Sequence, residues 1–360
     1  MRRWYGLKKI IEAGLILVAA VLVILSYLQL DKTLTPDSTP PVQPVDQDGY
    51  IKWAEFNVPE SAMKKAMKYD IESCESEIHI DWIQVLGYLG AKYGGKWDRY
   101  KSKDMEVLVE RLNAGETMAE ITKDMEYYDY YHEVYDTVLG EFLGYADVER
   151  ESEVLPGETF METRYGLKVY SPIASGYSYS HYDDFGNSRS YGYARRHLGN
   201  DLVGSIGTPI VAVEGGTIEH LGWNQYGGWR IGILSFDRKR YYYYAHLRQK
   251  HPYHLDLEEG MAVNAGDVIG YLGMTGYSTK EGANNMTVPH LHIGMQIVFD
   301  ESQIDGNGEI WIDMYDIVNF LTQNKSKVVK DEETKDYNRV YEIDDPDYES
   351  YISQQEASSS

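Results

Sequence analysis

Between about residues 200 and 300 the sequence carries no helix-length hydrophobic period; short runs of β-branched and aromatic residues are instead cut at close intervals by glycine. Such runs bury an apolar face only by pairing with one another, and tight glycine-bearing connections make that pairing antiparallel. Ile210 to Val213 and Thr217 to Leu221 flank Glu214-Gly215-Gly216, and Trp229 to Phe236 and Arg240 to His246 flank Asp237-Arg238-Lys239. Each spacing predicts a hairpin. Val268 to Leu272 and Leu291 to Phe299 supply further strands. The texture starts near residue 165, so a mainly antiparallel β domain is expected over 151–324, closed by a helix from Trp311 to Leu321.

The preceding segment reads differently. Trp82, Val85, Leu86 and Leu89 recur at i, i+3, i+4 and i+7, Met105, Leu108, Val109 and Leu112 repeat the pattern, and a third helix runs through Tyr128, Tyr131, Tyr135, Val138, Leu139 and Phe142. Pro59 suits an early helical position. Residues 50–150 are thus expected to be an α-helical module, a spacer or a docking face for a protein partner. Residues 31–49, with Pro36, Pro40, Pro41 and Pro44, read as a polar linker. Ahead of it, Arg2, Arg3, Lys8 and Lys9 precede an uncharged run of 18 residues, Ala13 to Leu30. At ~1.5 Å per residue that helix reaches about 27 Å, enough to cross a membrane's hydrocarbon core. The expectation is a basic cytoplasmic segment at 1–12 and an uncleaved transmembrane signal-anchor at 13–30, with everything after it outside. At the far end, residues 331–360 hold ten acidic and two basic side chains, so 325–360 is expected to be an acidic, disordered tail.

Composition narrows the function classes. A net charge of −23 argues against nucleic acid as a partner. The single cysteine, Cys74, excludes a disulfide scaffold and a cysteine-based zinc cluster. Tyrosine outnumbers phenylalanine 33 to 7, which suits half-wet surfaces that stack on a ligand. Tyr177, Tyr179, Tyr182, Tyr191 and Tyr193 are candidate groove residues in a Gly/Ser-rich stretch.

Four of the ten histidines are ordered in a way that carries chemistry. His197 and Asp201 form an H-x-x-x-D pair, His290 and His292 an H-x-H pair, and His246 ends the strand Tyr241-Tyr242-Tyr243-Tyr244-Ala245. On a strand, His290 and His292 point to one face while Leu291 points to the other. A catalytic zinc keeps three nitrogen or oxygen protein ligands and one open position. Three ligands drawn from His197, Asp201, His290 and His292 leave one of these over, together with His246, for acid–base work. The other histidines, His79, His132, His181, His220, His251 and His254, lack comparable context.

The order H-x-x-x-D, a strand ending in Tyr-Ala-His-Leu, a glycine-rich stretch and H-L-H resembles the lysostaphin/LytM-type zinc endopeptidases of bacterial cell walls. Gly207-Thr208-Pro209-Ile210-Val211-Ala212, Gly266-Asp267-Val268-Ile269-Gly270 and Gly273-Met274-Thr275-Gly276-Tyr277-Ser278 extend the likeness over about residues 190–300. The resemblance implies a LytM-like β-sandwich that binds one Zn²⁺ per chain through His197, Asp201 and His292. His246 and His290 would then stand beside the metal and the scissile carbonyl as catalytic residues. The implied whole is a membrane-anchored, multi-domain zinc metalloendopeptidase, single-pass in the bacterial cytoplasmic membrane with its C-terminal domains extracellular, cutting peptidoglycan stem peptides or crossbridges. A catalytically silent relative, binding peptidoglycan or a partner protein in wall remodelling, division or sporulation, is the alternative. Ile293-Gly294-Met295 departs from the family's usual residues after H-L-H, and the long polar segment from Thr279 to Val288 is expected to overhang the cleft. Trp82 to Gly95 faintly resembles the catalytic helix of lysozyme-like transglycosylases, but Lys92 stands where that helix carries its acid, so no glycosidase activity is expected.

Overall fold

A computed structural model describes residues 51, 54–152, 154–155, 157–191, 193–303 and 308–359, all within one compact unit, Gln43–Ser360. The expected basic segment 1–12, anchor 13–30 and linker 31–49 lie outside the described residues. Among the described residues no helix is long and apolar enough to cross a membrane.

Among the described residues five α-helices come first: α1 (Glu60–Ser73), α2 (Trp82–Tyr93), α3 (Ser102–Asn113), the short α4 (Met118–Thr122) and α5 (Tyr128–Leu139). Pro59 stands just before α1, at its N-cap. Asp81 starts α2 by accepting the Gln84 backbone N–H at 2.9 Å, and Gly94 ends it in the left-handed region at φ 60°. The apolar faces read from the sequence are the buried ones: Trp82, Val85, Leu86 and Leu89 in α2, Met105, Leu108, Val109 and Leu112 in α3, and Tyr131, Tyr135, Val138 and Leu139 in α5. Lys92 pairs with Asp104 at 2.9 Å on the surface.

The strands are β1 (Leu143–Glu151), β2 (Thr159–Leu167), β3 (Ser180–His181), β4 (Ser188–Tyr191), β5 (Tyr193–Arg196), β6 (Asn200–Val203), β7 (Pro209–Val211), β8 (Gly216–Asn224), β9 (Gly228–Ser235), β10 (Arg240–Ala245), β11 (Ala262–Val263), β12 (Val268–Tyr271), β13 (His290–Ile297) and β14 (Ile310–Ile312). After them come α6 (Tyr315–Leu321), β15 (Val328–Lys330), β16 (Tyr337–Arg339), β17 (Ile343–Asp344) and α7 (Pro346–Ser359). The main sheet has eight strands in the order β11-β8-β9-β10-β13-β6-β3, with β14 also on β13. Every pairing in it is antiparallel, as the sequence predicts. The β9–β10 hairpin forms in the expected place.

The other expected hairpin does not form. β7 pairs with β12, while β8 pairs with β9 and β11. Gly216 serves close approach instead of chain reversal, since a Cβ there would lie 2.2 Å from the Leu234 carbonyl oxygen. Trp311 lies on β14, so the closing helix starts only at Tyr315.

One apolar core joins helices and sheet, running from Ala62, Leu86 and Leu139 through Phe142 to Tyr242, Leu291, Ile293 and Phe320. The boundary expected at residue 150 is therefore no break in packing. Trp82 stacks on Phe320 with centroids 6.0 Å apart. Asp70 of α1 accepts the Trp82 backbone N–H at 2.9 Å and the Tyr165 hydroxyl of β2 at 2.7 Å. Fully buried Arg240 makes a two-pronged pair with Glu214 at 2.8 and 2.9 Å and donates to the Thr137 carbonyl of α5 at 2.7 Å. Twelve-residue helices are marginal alone, and such tertiary packing supplies what they lack.

The C-terminal segment corrects the expectation of a disordered tail. β17 pairs with β1 and Ile343 is buried. Asp336 accepts the Tyr271 hydroxyl at 2.6 Å and faces His251 Nε2 at 2.5 Å. Asp345 and Asp347 pair with Lys168 at 3.2 and 2.7 Å, and Tyr351 packs on Phe236 with ring centroids 5.1 Å apart. Asp336, Asp345 and Asp347 thus find partners far upstream, which the segment's own composition does not reveal.

Candidate functional site

Sheet register assembles the site. Leu291, Ile293, Met295 and Ile297 of β13 enter the core, which turns His290 and His292 to the other face. His292 lies directly across from Asp201 on β6 and from Ala245 on β10, so His246, one residue later, comes to the same place. His197 sits in the short link between β5 and β6, four residues before Asp201.

All five residues singled out from the sequence meet in one cleft of about 640 Å³. His197 Nε2 is 3.1 Å from Asp201 Oδ1 and 2.9 Å from His292 Nδ1, and His292 Nδ1 is 3.3 Å from Asp201 Oδ1. One donor atom from each of these three residues falls within 4.8 Å of the others. Two nitrogens and a carboxylate oxygen at that spacing suit Zn²⁺. The neighbours hold the ligand atoms in place. The Asp184 carbonyl accepts from His197 Nδ1 at 3.0 Å, which leaves Nε2 facing the centre. Arg189 donates to Asp184 Oδ2 at 2.6 Å and to Asp201 Oδ2 at 3.3 Å, which leaves Asp201 Oδ1 to the imidazoles. Burial alone would lower the His197 pKa, but Asp184 and Asp201 outweigh it and raise it to about 9. Asp201, despite burial, is held well below the usual carboxylate range by His197 and His292. Both shifts report a field that favours positive charge at this point.

His246 and His290 differ from the other three. The Thr275 carbonyl accepts from His246 Nδ1 at 2.8 Å, and the Val288 carbonyl accepts from His290 Nδ1 at 2.9 Å. In the neutral ring each Nε2 then keeps its lone pair. The two rings lie 4.6 Å apart, and His246 is 5.9 Å from the ring of His292. Burial, then His290 and His292, push the His246 pKa well below its ordinary value. His246 is held at φ 62°, a left-handed backbone uncommon outside glycine.

Sequence reasoning missed several contributors. Asp184 and Arg189 carry no motif of their own. Gly199 is needed because a Cβ there would lie 2.4 Å from the Ile293 carbonyl oxygen and 2.8 Å from the His292 ring. The tyrosines lining the cleft are Tyr226, Tyr241, Tyr243 and Tyr277. Tyr177 and Tyr179 pack against the core instead, and Tyr182 is exposed. His220, without context in the sequence, also lines the cleft and lies 3.2 Å from the Tyr241 hydroxyl. From the long polar segment, Met286 reaches the cleft.

Residues 195–305 match the model of Peptidase family M23. This segment is an M23 peptidase domain. The M23 domain agrees with the likeness seen over about 190–300. The chain is 38% identical over 124 residues to the L-Ala--D-Glu endopeptidase of Bacillus subtilis (strain 168), covering 34% of this chain and 36% of that protein. It is 38% identical over 97 residues to lysostaphin of Staphylococcus simulans, covering 27% of this chain and 17% of that protein. The match thus spans little more than a third of the length of the first relative and about a sixth of the second. The solved catalytic domain of Staphylococcus simulans lysostaphin aligns at 33% identity, covering 34% of this chain and 85% of that one, with a TM-score of 0.28.

Proposed function

We propose that the chain is a zinc endopeptidase that hydrolyses peptide bonds in bacterial peptidoglycan, in stem peptides or crossbridges, and is held at the outer face of the cytoplasmic membrane by residues 13–30. The observation that carries this reading is the convergence of His197, Asp201 and His292 with two further imidazoles whose Nε2 atoms remain available. The names of the relatives, an L-Ala--D-Glu endopeptidase and lysostaphin, support a wall peptide as substrate.

His197 Nε2, Asp201 Oδ1 and His292 Nδ1 would hold the metal. When bound, zinc supplies a Lewis acid that polarises a carbonyl and acidifies water. His246 Nε2, with its Nδ1–H tied to Thr275, accepts a proton from the attacking water and returns it to the leaving amine. His290 Nε2 stands 3.7 Å from Asp201 Oδ1 and, when it carries a proton, donates to the oxygen that gains charge on the scissile carbonyl. Both rings are buried, so water competes little for these hydrogen bonds.

Digestion of purified peptidoglycan by the full chain, read by mass spectrometry, tests the reading. Release of peptide fragments that carry a new amino terminus, abolished by a chelator and restored by zinc, is expected. Intact wall after incubation with zinc would favour the silent scaffold instead. External protease on intact protoplasts tests the anchoring, which predicts that the C-terminal region is digested without lysis.

A further inference from the structure

The chain carries a net charge of −23, yet its cleft is lined by Arg189, Arg195, Arg196 and Arg230. The acidic residues lining the same cleft are Asp201 and Glu309, and Asp184 lies beside Arg189. Arg189 is matched to Asp184 and Asp201, and Glu309 accepts from the Trp311 ring N–H at 2.8 Å. Arg195 and Arg230 have no such partner among the described residues. Among the described residues, the Nε of each is buried and makes no hydrogen bond. Leaving a guanidinium N–H buried and unpaired is costly, so sites that retain one usually receive an acceptor from elsewhere.

Both guanidiniums are braced. Arg195 lies over the rings of Tyr226 and Tyr277 at 4.8 and 5.0 Å, and Arg230 lies 6.0 Å over Tyr243. Stacking fixes the planar fork while leaving its edge free for a planar anion. Arg195 also stands directly across the β4–β5 hairpin from Arg189. Tyr243 connects this pair to the metal centre, since its ring is 5.8 Å from that of His292.

We propose that Arg195 and Arg230 form a carboxylate-binding subsite beside the metal centre, so that the cleft takes a peptide bearing a free carboxylate near the bond to be cut in preference to a neutral peptide. The proposal rests on the reading of the cleft as a peptide site and adds its specificity. Arginine forks match a carboxylate through two parallel N–H···O bonds, and a carboxamide at the same place offers one acceptor and no charge.

The test uses the full-length protein and two fluorescein-labelled, C-terminally amidated peptides, Ala-γ-D-Glu-Lys with its α-carboxylate free and the same peptide with that group as a carboxamide. Binding is read by anisotropy on zinc-stripped protein, so that neither hydrolysis nor the metal contributes. The free acid should bind about ten-fold tighter, as for a partly exposed charge-assisted pair. R195Q and R230Q should each bring that ratio toward one, and R195K should retain part of it. Equal affinity of the wild type for the two peptides, or an unchanged ratio in both Gln variants, overturns the proposal. The wild-type ratio decides alone if a Gln variant melts early. With zinc restored, kcat/KM should follow the same preference. A preserved binding ratio without cleavage would overturn the hydrolase reading and leave the subsite standing.

Discussion

Gly199 shows how narrowly the metal centre is built. It occupies the turn between His197 and Asp201, pressed against the Ile293 carbonyl and the His292 ring. Its backbone conformation is not the constraint; the space is. In G199A the methyl group must push the turn away from β13, separating His197 and Asp201 from His292. Groups that only position ligands typically change metal affinity 10–100-fold when altered, so zinc affinity, read by competition with a chromophoric chelator, should fall by that order. Wild-type affinity in G199A would show that the turn has slack the structure does not suggest. The five motif residues were legible because their order along the chain is itself informative. Asp184, Arg195 and Arg230 were not, because each acts through neighbours that only the folded hairpin and sheet bring near.

At the scale of elements, the C-terminal segment makes the sharpest prediction. Truncation after residue 330 removes β17 from β1, exposes the surface under Ile343 and leaves Lys168, itself buried, without Asp345 and Asp347. Burial of one such side chain is worth ~1.5–3 kcal/mol, and a buried charge left with Glu141 alone, at 3.7 Å, adds to the loss. The melting temperature should drop by at least about 5 °C; no change would return the segment to a dispensable tail. Burial opposes the charge on Lys168, but Asp345, Asp347 and Glu141 raise its pKa above the ordinary 10.5. Its contribution is therefore fully present below that value and is lost as pH rises past the raised one. Helices α2 and α3 and the β9–β10 hairpin were readable from local period and turn residues alone. The pairing of β7 with β12 was not, because Gly215-Gly216 reads as a turn when taken locally and acts as a close approach in the fold. The packing of the C-terminal segment is illegible for the same kind of reason, since Tyr271, His251 and Lys168 lie far from it in sequence.

At the scale of the whole molecule, the helices and the sheet share one core, tied by the buried Arg240–Glu214 pair and its bond to α5. E214Q leaves Arg240 buried with Asp237 as its remaining carboxylate partner. Breaking a buried pair from one side costs roughly 3–5 kcal/mol. In urea, helical circular dichroism and tyrosine fluorescence should shift together to a lower midpoint in E214Q; two separated transitions would mean that the helices fold apart from the sheet. The central claim concerns the division of labour among the five cleft residues, and zinc content measured alongside wall hydrolysis in their single alanine variants tests it most directly. H197A, D201A and H292A should lose zinc and activity together, because two remaining donors do not make a tight site. H246A and H290A should keep about one zinc per chain while turnover falls by ~10²–10⁴. Full zinc in H292A with its loss in H290A would reverse the assignment, and undiminished hydrolysis by H246A or H290A would contradict it.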